Sequence, residues 1–246
     1  MAKLRHRFSR RTAVLVGGGT IGVLVGGLLL VYFVFFPTSS PKPFKLRSTA
    51  TTSSTTGANG SGTSSSAVAG KWTVAKGSAA GYRVREKLAF LPAQSDAVGR
   101  TSEISGSAEF SEANGKVTIT TSSFKVNVST LKSDKSMRDE KIHEIGLESN
   151  RYPTATFSLA SPVTLAASEI EGKVARAMVT GTFTIHGTAK KKTIPVEMSL
   201  SGSTFEAVGA LTFPWGDFGM TAPSLGGLVN VTDKATMEFD LHMQRV

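Results

Sequence analysis

No cysteine occurs among the 246 residues. This excludes a disulfide framework, a thiol nucleophile, a cysteine-held metal and a lipid-modified cysteine anchor. Histidine is scarce, with four in all. His143 and His186, the two placed where catalysis is conceivable, share neither the Ser-His-Asp logic of a hydrolase nor an H-x-x-x-H metal spacing, and they read as turn or cap residues. Acidic residues are missing from the first 70 positions, which hold eight basic ones: Lys3, Arg5, Arg7, Arg10, Arg11, Lys42, Lys45 and Arg47. The remaining 176 residues carry 20 Lys/Arg against 18 Asp/Glu, so that part is near +2. The pI of about 9.9 therefore belongs to the flanks of an apolar run. Such a distribution suits a membrane surface and its topology signals, not a nucleic-acid-binding face.

Charge is also absent from Ala13 to Phe36, a run of 24 residues. As a helix it would span roughly 36 Å, enough for a hydrocarbon core of about 30 Å with some tilt. Pro37 stops it, and Tyr32, Phe33, Phe35 and Phe36 cluster at its exit like an interfacial aromatic belt. Five basic residues precede the run, so residues 1–12 are expected to be a cytoplasmic tail, 13–36 a transmembrane helix, and the rest extracytoplasmic at the cytoplasmic membrane. A cleaved signal peptide is the competing reading, but its apolar region would be shorter and followed by a small-x-small site. Gly18, Gly22 and Gly26 recur every fourth residue on one helix face, a spacing that lets two membrane helices approach closely.

Residues 37–70 are dominated by Ser, Thr, Gly and Ala without periodicity, and are expected to be a disordered linker. A flexible coil of that length has an r.m.s. span of roughly 30–35 Å. Residues 71–246 change to alternation with period two. Ile104/Gly106/Ala108/Phe110, Phe124/Val126/Val128, Val179/Gly181/Phe183/Ile185, Ile194/Val196/Met198/Leu200 and Ala235/Met237/Phe239/Leu241 each place apolar residues on one face. Turns are expected at Asn114-Gly115, Thr188-Ala189-Lys190 and Ser201-Gly202-Ser203. About eight antiparallel strands imply an all-β barrel or sandwich. Ser136 to Gly146 breaks the period and predicts one short helix, with Ser136 and Asp139 as a capping box and Gly146 as its stop. Lys190-Lys191-Lys192 would then sit at a hairpin tip.

Large and small residues share the apolar faces: Tyr82, Phe110, Phe157, Phe183, Met198, Phe205 and Phe239 beside Gly106, Ala108, Gly181, Ala207 and Gly209. An eight-stranded barrel either fills itself with side chains or encloses one small ligand, and patterning leaves both open. Four stretches in order resemble the YceI-like polyisoprenoid-binding family. These are Trp72-Thr73-Val74; Met137-Arg138-Asp139 with Arg151-Tyr152-Pro153-Thr154-Ala155-Thr156-Phe157; Val179 through Thr188; and Asp217-Phe218-Gly219-Met220. Departures are Trp215, where Arg is common, and Phe183, where Leu is common. The last stretch also contains the kinase triplet D-F-G, but neither a glycine-rich phosphate loop nor H-R-D accompanies it.

The resemblance implies an eight-stranded, lipocalin-like antiparallel barrel that binds an isoprenoid or similar long apolar chain, with no cofactor, no metal and no catalytic centre. The ligand site is expected on the apolar positions Tyr82, Val84, Phe110, Val126, Phe157, Phe183, Ile185, Met198, Phe205 and Phe239, with Trp215 and Phe218, which, like Trp72, either lie at the pocket or pack the barrel ends. At about 0.8 kcal/mol per CH₂, a twenty-carbon tail exposed to water costs on the order of 16 kcal/mol, which an enclosed tunnel offsets better than an open groove. The rival readings are a filled barrel serving as a surface interaction or stress-response domain, and an enzyme acting on a lipid through His143 or His186. The glycine stripe yields a test of its own. Replacing Gly18, Gly22 and Gly26 together by Leu is expected to abolish a crosslinked dimer of the chain in membranes; an unchanged dimer band refutes a helix contact there.

Overall fold

Alternation becomes strand throughout the C-terminal part of the chain. The computed structural model describes residues 40–46, 68–88, 94–225 and 229–246. The expected transmembrane helix, its glycine stripe and most of the expected linker lie outside them. Among the described residues no helix is long and apolar enough to cross a membrane.

The strands in chain order are β1 (Gly70–Val74), β2 (Ala79–Leu88), β3 (Gln94–Thr101), β4 (Ile104–Ala113), β5 (Lys116–Asn127) and β6 (Thr154–Leu159). They continue as β7 (Val163–Ala166), β8 (Ala175–Ile185), β9 (Thr188–Ser201), β10 (Thr204–Pro214), β11 (Ser224–Leu225) and β12 (Val229–Arg245). Eight of them close a ring in the order β1-β4-β5-β6-β8-β9-β10-β12, and β12 pairs back to β1. Closure leaves these strands without the unpaired edges that invite aggregation. The long β12 makes it possible: Met243–Arg245 pair with β1, while Val229–Asp240 pair with β2, which in turn carries β3. The expected eight-stranded antiparallel barrel is therefore present, with β2 and β3 as an added hairpin on its wall.

Two-residue turns set the register. Asn114 and Gly115 both have positive φ (52° and 69°), as the tight hairpin between β4 and β5 requires. The β8–β9 hairpin differs from expectation. Its turn is His186-Gly187, with φ of 51° and 70°, and Ile185 pairs directly with Thr188. The two positive-φ positions fix the turn there, so Lys190, Lys191 and Lys192 lie along β9 and not at a tip. Lys192 Nζ donates to the Asp217 carboxylate at 2.6 Å.

The short helix is present as Ser136–Lys141, widening into a single looser turn over Ile142–Gly146. Its capping differs from expectation. Lys135 occupies the cap without a side-chain bond, and Ser136 is already helical. The Asp139 carboxylate instead accepts from the Ser133 backbone N–H at 2.8 Å, bracing the approach to the helix. Arg138 supplies the fastening. Its Nε and Nη2 reach the two Glu86 oxygens at 3.1 Å each, and it also pairs with Asp134. Glu86 belongs to the inward parity of β2 and is buried, so its carboxylate needs a committed partner. Burial works against the Arg138 charge, but the Glu86 hydrogen bonds and charge outweigh it and hold the guanidinium pKa above its ordinary value.

At the other end, Trp72 is fully buried. Its indole N–H donates to the Val68 carbonyl at 2.8 Å, and its ring packs on Phe110 and Phe205 at 5.4 and 6.4 Å between centroids.

Part of the expected linker is structured. Arg83 and Arg100, on the outer faces of β2 and β3, donate to the carbonyls of Pro41 and Lys42, each at 2.6 Å. The Arg100 guanidinium also sits 3.9 Å from the Phe44 ring centroid. Both arginines hold Glu238 of β12, which is 4% exposed, and Arg83 further pairs with Asp96. Residues 41–44 are thus a strap across an ionic cluster on the barrel wall. Arg100→Ala removes a bond to the strap, the cation–π contact and one of two partners of a buried carboxylate. It is expected to lower stability by about 2 kcal/mol, read by urea denaturation.

Candidate functional site

The barrel interior is shaped by where aromatic rings can lie. Across the wall, several rings rest on glycines of the neighbouring strand. Phe239 is paired with Gly209, and a Cβ on that glycine would come within 2.6 Å of Phe239 Cζ. Phe124 is paired with Gly106, where a Cβ would come within 2.7 Å of the ring. A Cβ on Gly181 would collide with the edge of the Phe157 ring. Each glycine gives a ring room to lie against the wall instead of across the lumen. The small residues on the inner face therefore contribute to an open interior, but as seats for rings and not as empty space.

What remains is a cavity of about 150 Å³. By the volume a water needs inside a protein, it holds on the order of ten water-sized groups. Its inward-facing lining is aliphatic and aromatic apart from Ser122. Thr156 and Glu238 also contribute to the wall, but belong to the outward parity, and the Glu238 carboxylate is held outside by Arg83 and Arg100. No inward-facing charge lines it. The cavity offers dispersion contacts along a hydrocarbon chain and no site for an unpaired ion, which would be costly to desolvate there.

Phe110, Val126, Phe157, Phe183, Ile185, Met198, Phe205 and Phe239, all expected at the ligand site, line this cavity. Phe124 and Phe157 stack at 6.3 Å, Phe157 and Phe183 meet at a tilt at 4.9 Å, and Phe110 meets Phe205 at 5.0 Å edge to face. Tyr82, Val84 and Trp215 lie elsewhere. They line a second, smaller void of about 20 Å³ beneath the helix, with Phe213 and Ala235. The Trp215 indole N–H donates to the Thr232 carbonyl at 2.8 Å, which directs this residue to structural closure of the barrel end. Phe218 lines neither space. It is fully buried and packs edge-on against Phe213 at 4.7 Å. Lining residues absent from the expected set include Phe124, Leu131, Val196, Met237, Leu241 and Met243. Most share strands and parity with expected ones, so alternation held the signal. What it lacked was the position of the closing helix, which decides which rungs of each strand face open space.

Tyr82 carries a buried hydroxyl near Ser133 and the Arg138–Glu86 pair. Burial is the largest influence on its hydroxyl and pushes the pKa well above the ordinary tyrosine value, keeping it neutral. Its Oη makes no hydrogen bond. The Ser133 hydroxyl close to it is engaged with the Lys135 backbone at 3.1 and 3.2 Å. His143 and His186 line neither cavity. His143 Nδ1 bonds the Ser149 hydroxyl. His186 Nδ1 lies 3.2 Å from the Phe218 carbonyl, its ring packs on Tyr152 at 4.2 Å, and its Nε2 is 3.2 Å from Glu148, in contact but off the line of a hydrogen bond. Among the described residues no cluster of His, Cys, Asp or Glu could hold a metal.

Comparison with known proteins agrees with this geometry. The YceI-like domain matches residues 72–243. A polyisoprenoid-binding domain from Saccharophagus degradans, implicated in plant cell wall breakdown, superposes with a TM-score of 0.55 at 16% identity. The match covers 72% of this chain and 99% of that one. The YCEI protein of Campylobacter jejuni superposes with a TM-score of 0.51 at 17% identity, covering 65% of this chain and 91% of that one. At these identities the likeness concerns the fold. No curated protein matches the chain.

The ring-on-glycine arrangement has a direct test. Gly181→Ala is expected to push Phe157 off the wall into the lumen. It should cost about 1–3 kcal/mol in denaturant stability; unchanged stability would show the ring seat to be unimportant.

Proposed function

Since this chain belongs to the YceI-like domain family, we propose that it binds an isoprenoid-class or similar long-chain lipid in its barrel, at the outer face of the cytoplasmic membrane, and stores or shuttles it without chemical change. The observation that carries the reading is the uncharged inner lining of the cavity, aliphatic and aromatic but for Ser122. Filling it with about ten carbons removes on the order of 8 kcal/mol of hydrocarbon hydration from water. Transfer from bilayer to barrel is far closer to neutral, because both surroundings are apolar. A carrier of this kind takes up and releases its cargo rather than trapping it. The uncharged run Ala13 to Phe36, read as a membrane anchor, would keep the barrel near its supply.

An enzymatic role finds little support in the geometry. Neither His143 nor His186 lines the cavity, and no inward-facing acid or base does so. The filled-barrel alternative is weakened by the cavity itself.

Residues 40–246, purified without detergent, are expected to show added masses in native mass spectrometry that correspond to retained apolar lipid. Ala207→Phe, which places a ring in the lumen from a position lining the cavity, should reduce that occupancy severalfold while far-ultraviolet circular dichroism stays unchanged. A consistently bare wild-type mass, with no uptake when lipid is supplied, would overturn the reading.

A further inference from the structure

The large cavity and the small void are stacked along β12, and Met237 is the residue common to their linings. Its register shows why. On one side it pairs with Leu211 of β10, which lines the large cavity; on the other it pairs with Tyr82 of β2, which lines the void. Met237 thus stands between the two spaces. Its side chain is unbranched, with three rotatable bonds and a polarisable sulfur, the type that fills an irregular gap without fixing it.

The geometry points to Met237 as the floor of the lipid site and the residue that limits how long a hydrocarbon chain the barrel accepts. This rests on the lipid-binding reading above. Below Met237 the void is bounded by Val84, Phe213, Trp215 and Ala235, and then by the helix fastened through Arg138 and Glu86. A chain end reaching the floor meets hydrocarbon, so the ligand enters with its tail first and keeps an oxygen-bearing head away from Met237.

The volumes give the size of the step. A void of about 20 Å³ accommodates one or two carbon-sized groups. Removing the side chain beyond Cβ frees the space of three more heavy atoms. Together they amount to about one five-carbon isoprene unit. Met237→Ala should thus lengthen the accepted chain by one repeat of the ligand class, not by a single methylene. Ala235 lines the void without touching the large cavity, so Ala235→Leu fills the extension from beneath.

The test uses the full chain in detergent, incubated with an equimolar series of all-trans prenols from geraniol to octaprenol, with the lengths of bound prenol read by native mass spectrometry. Met237→Ala is expected to move the most occupied length up by about one isoprene unit. The double variant Met237→Ala with Ala235→Leu should return to the wild-type distribution. Met237→Trp should move the distribution to shorter chains, which keeps the inference open to test if Met237→Ala folds poorly. Identical distributions for wild type, Met237→Ala and Met237→Trp overturn the inference while leaving lipid binding intact. A wild-type chain that retains no prenol overturns lipid binding itself, and this inference with it.

Discussion

The open interior depends on aromatic rings being held flat against the barrel wall. A closed eight-stranded barrel is narrow enough for its own side chains to fill. Phe124, Phe157 and Phe239 would fill it if they projected radially. They do not, because Gly106, Gly181 and Gly209 supply no Cβ beneath them. The rings retain their apolar burial against backbone and neighbouring rings, and the lumen keeps its space. Stability and cavity thus arise from the same contacts, whereas an engineered void usually costs packing energy.

The two barrel ends use different chemistry. At one end Trp72 packs on Phe110 and Phe205, with its indole bonded to Val68. At the other, a helix carries the Arg138 guanidinium down to Glu86 on the inner face of β2. A buried ion pair contributes little net stability but is expensive to break, so it fixes position more than it adds energy. Here it positions the closing helix over the small void, and the helix in turn decides where open space ends. Arg138 and Glu86 shape the site without lining the large cavity.

Much of this was legible in the sequence, and the exceptions have physical causes. Period-two alternation in Val179–Ile185 and Ala235–Leu241 identified strands and inward faces, and most expected ligand-site residues do line a cavity. Alternation assigns a face but not a height along the barrel, so it could not separate Tyr82, Val84 and Trp215 at the closed end from Phe183 and Met198 in the open part. The β8–β9 turn was misplaced because Thr-Ala-Lys resembled a loop by composition, while His186 adopts a positive φ that is uncommon for a non-glycine residue. The Ser136–Asp139 spacing does not make a cap because Asp139 reaches back to Ser133, a bond outside the usual capping spacing. The glycines stand out on the inner faces, but a cross-strand ring contact is invisible to a pattern along one strand.

The strap at Pro41–Phe44 bears on how the barrel carries mechanical load. Any pull on the chain from its N-terminal side reaches the carbonyl contacts of Arg83 and Arg100 before it reaches β1. Those two arginines are tied to Glu238 on the longest strand of the sheet. Tension is thereby passed to the middle of the wall, where β12 is paired on both sides, and is kept away from β1, whose five residues complete the ring. The strap works as a strain relief: the barrel seam is loaded only after the strap has peeled.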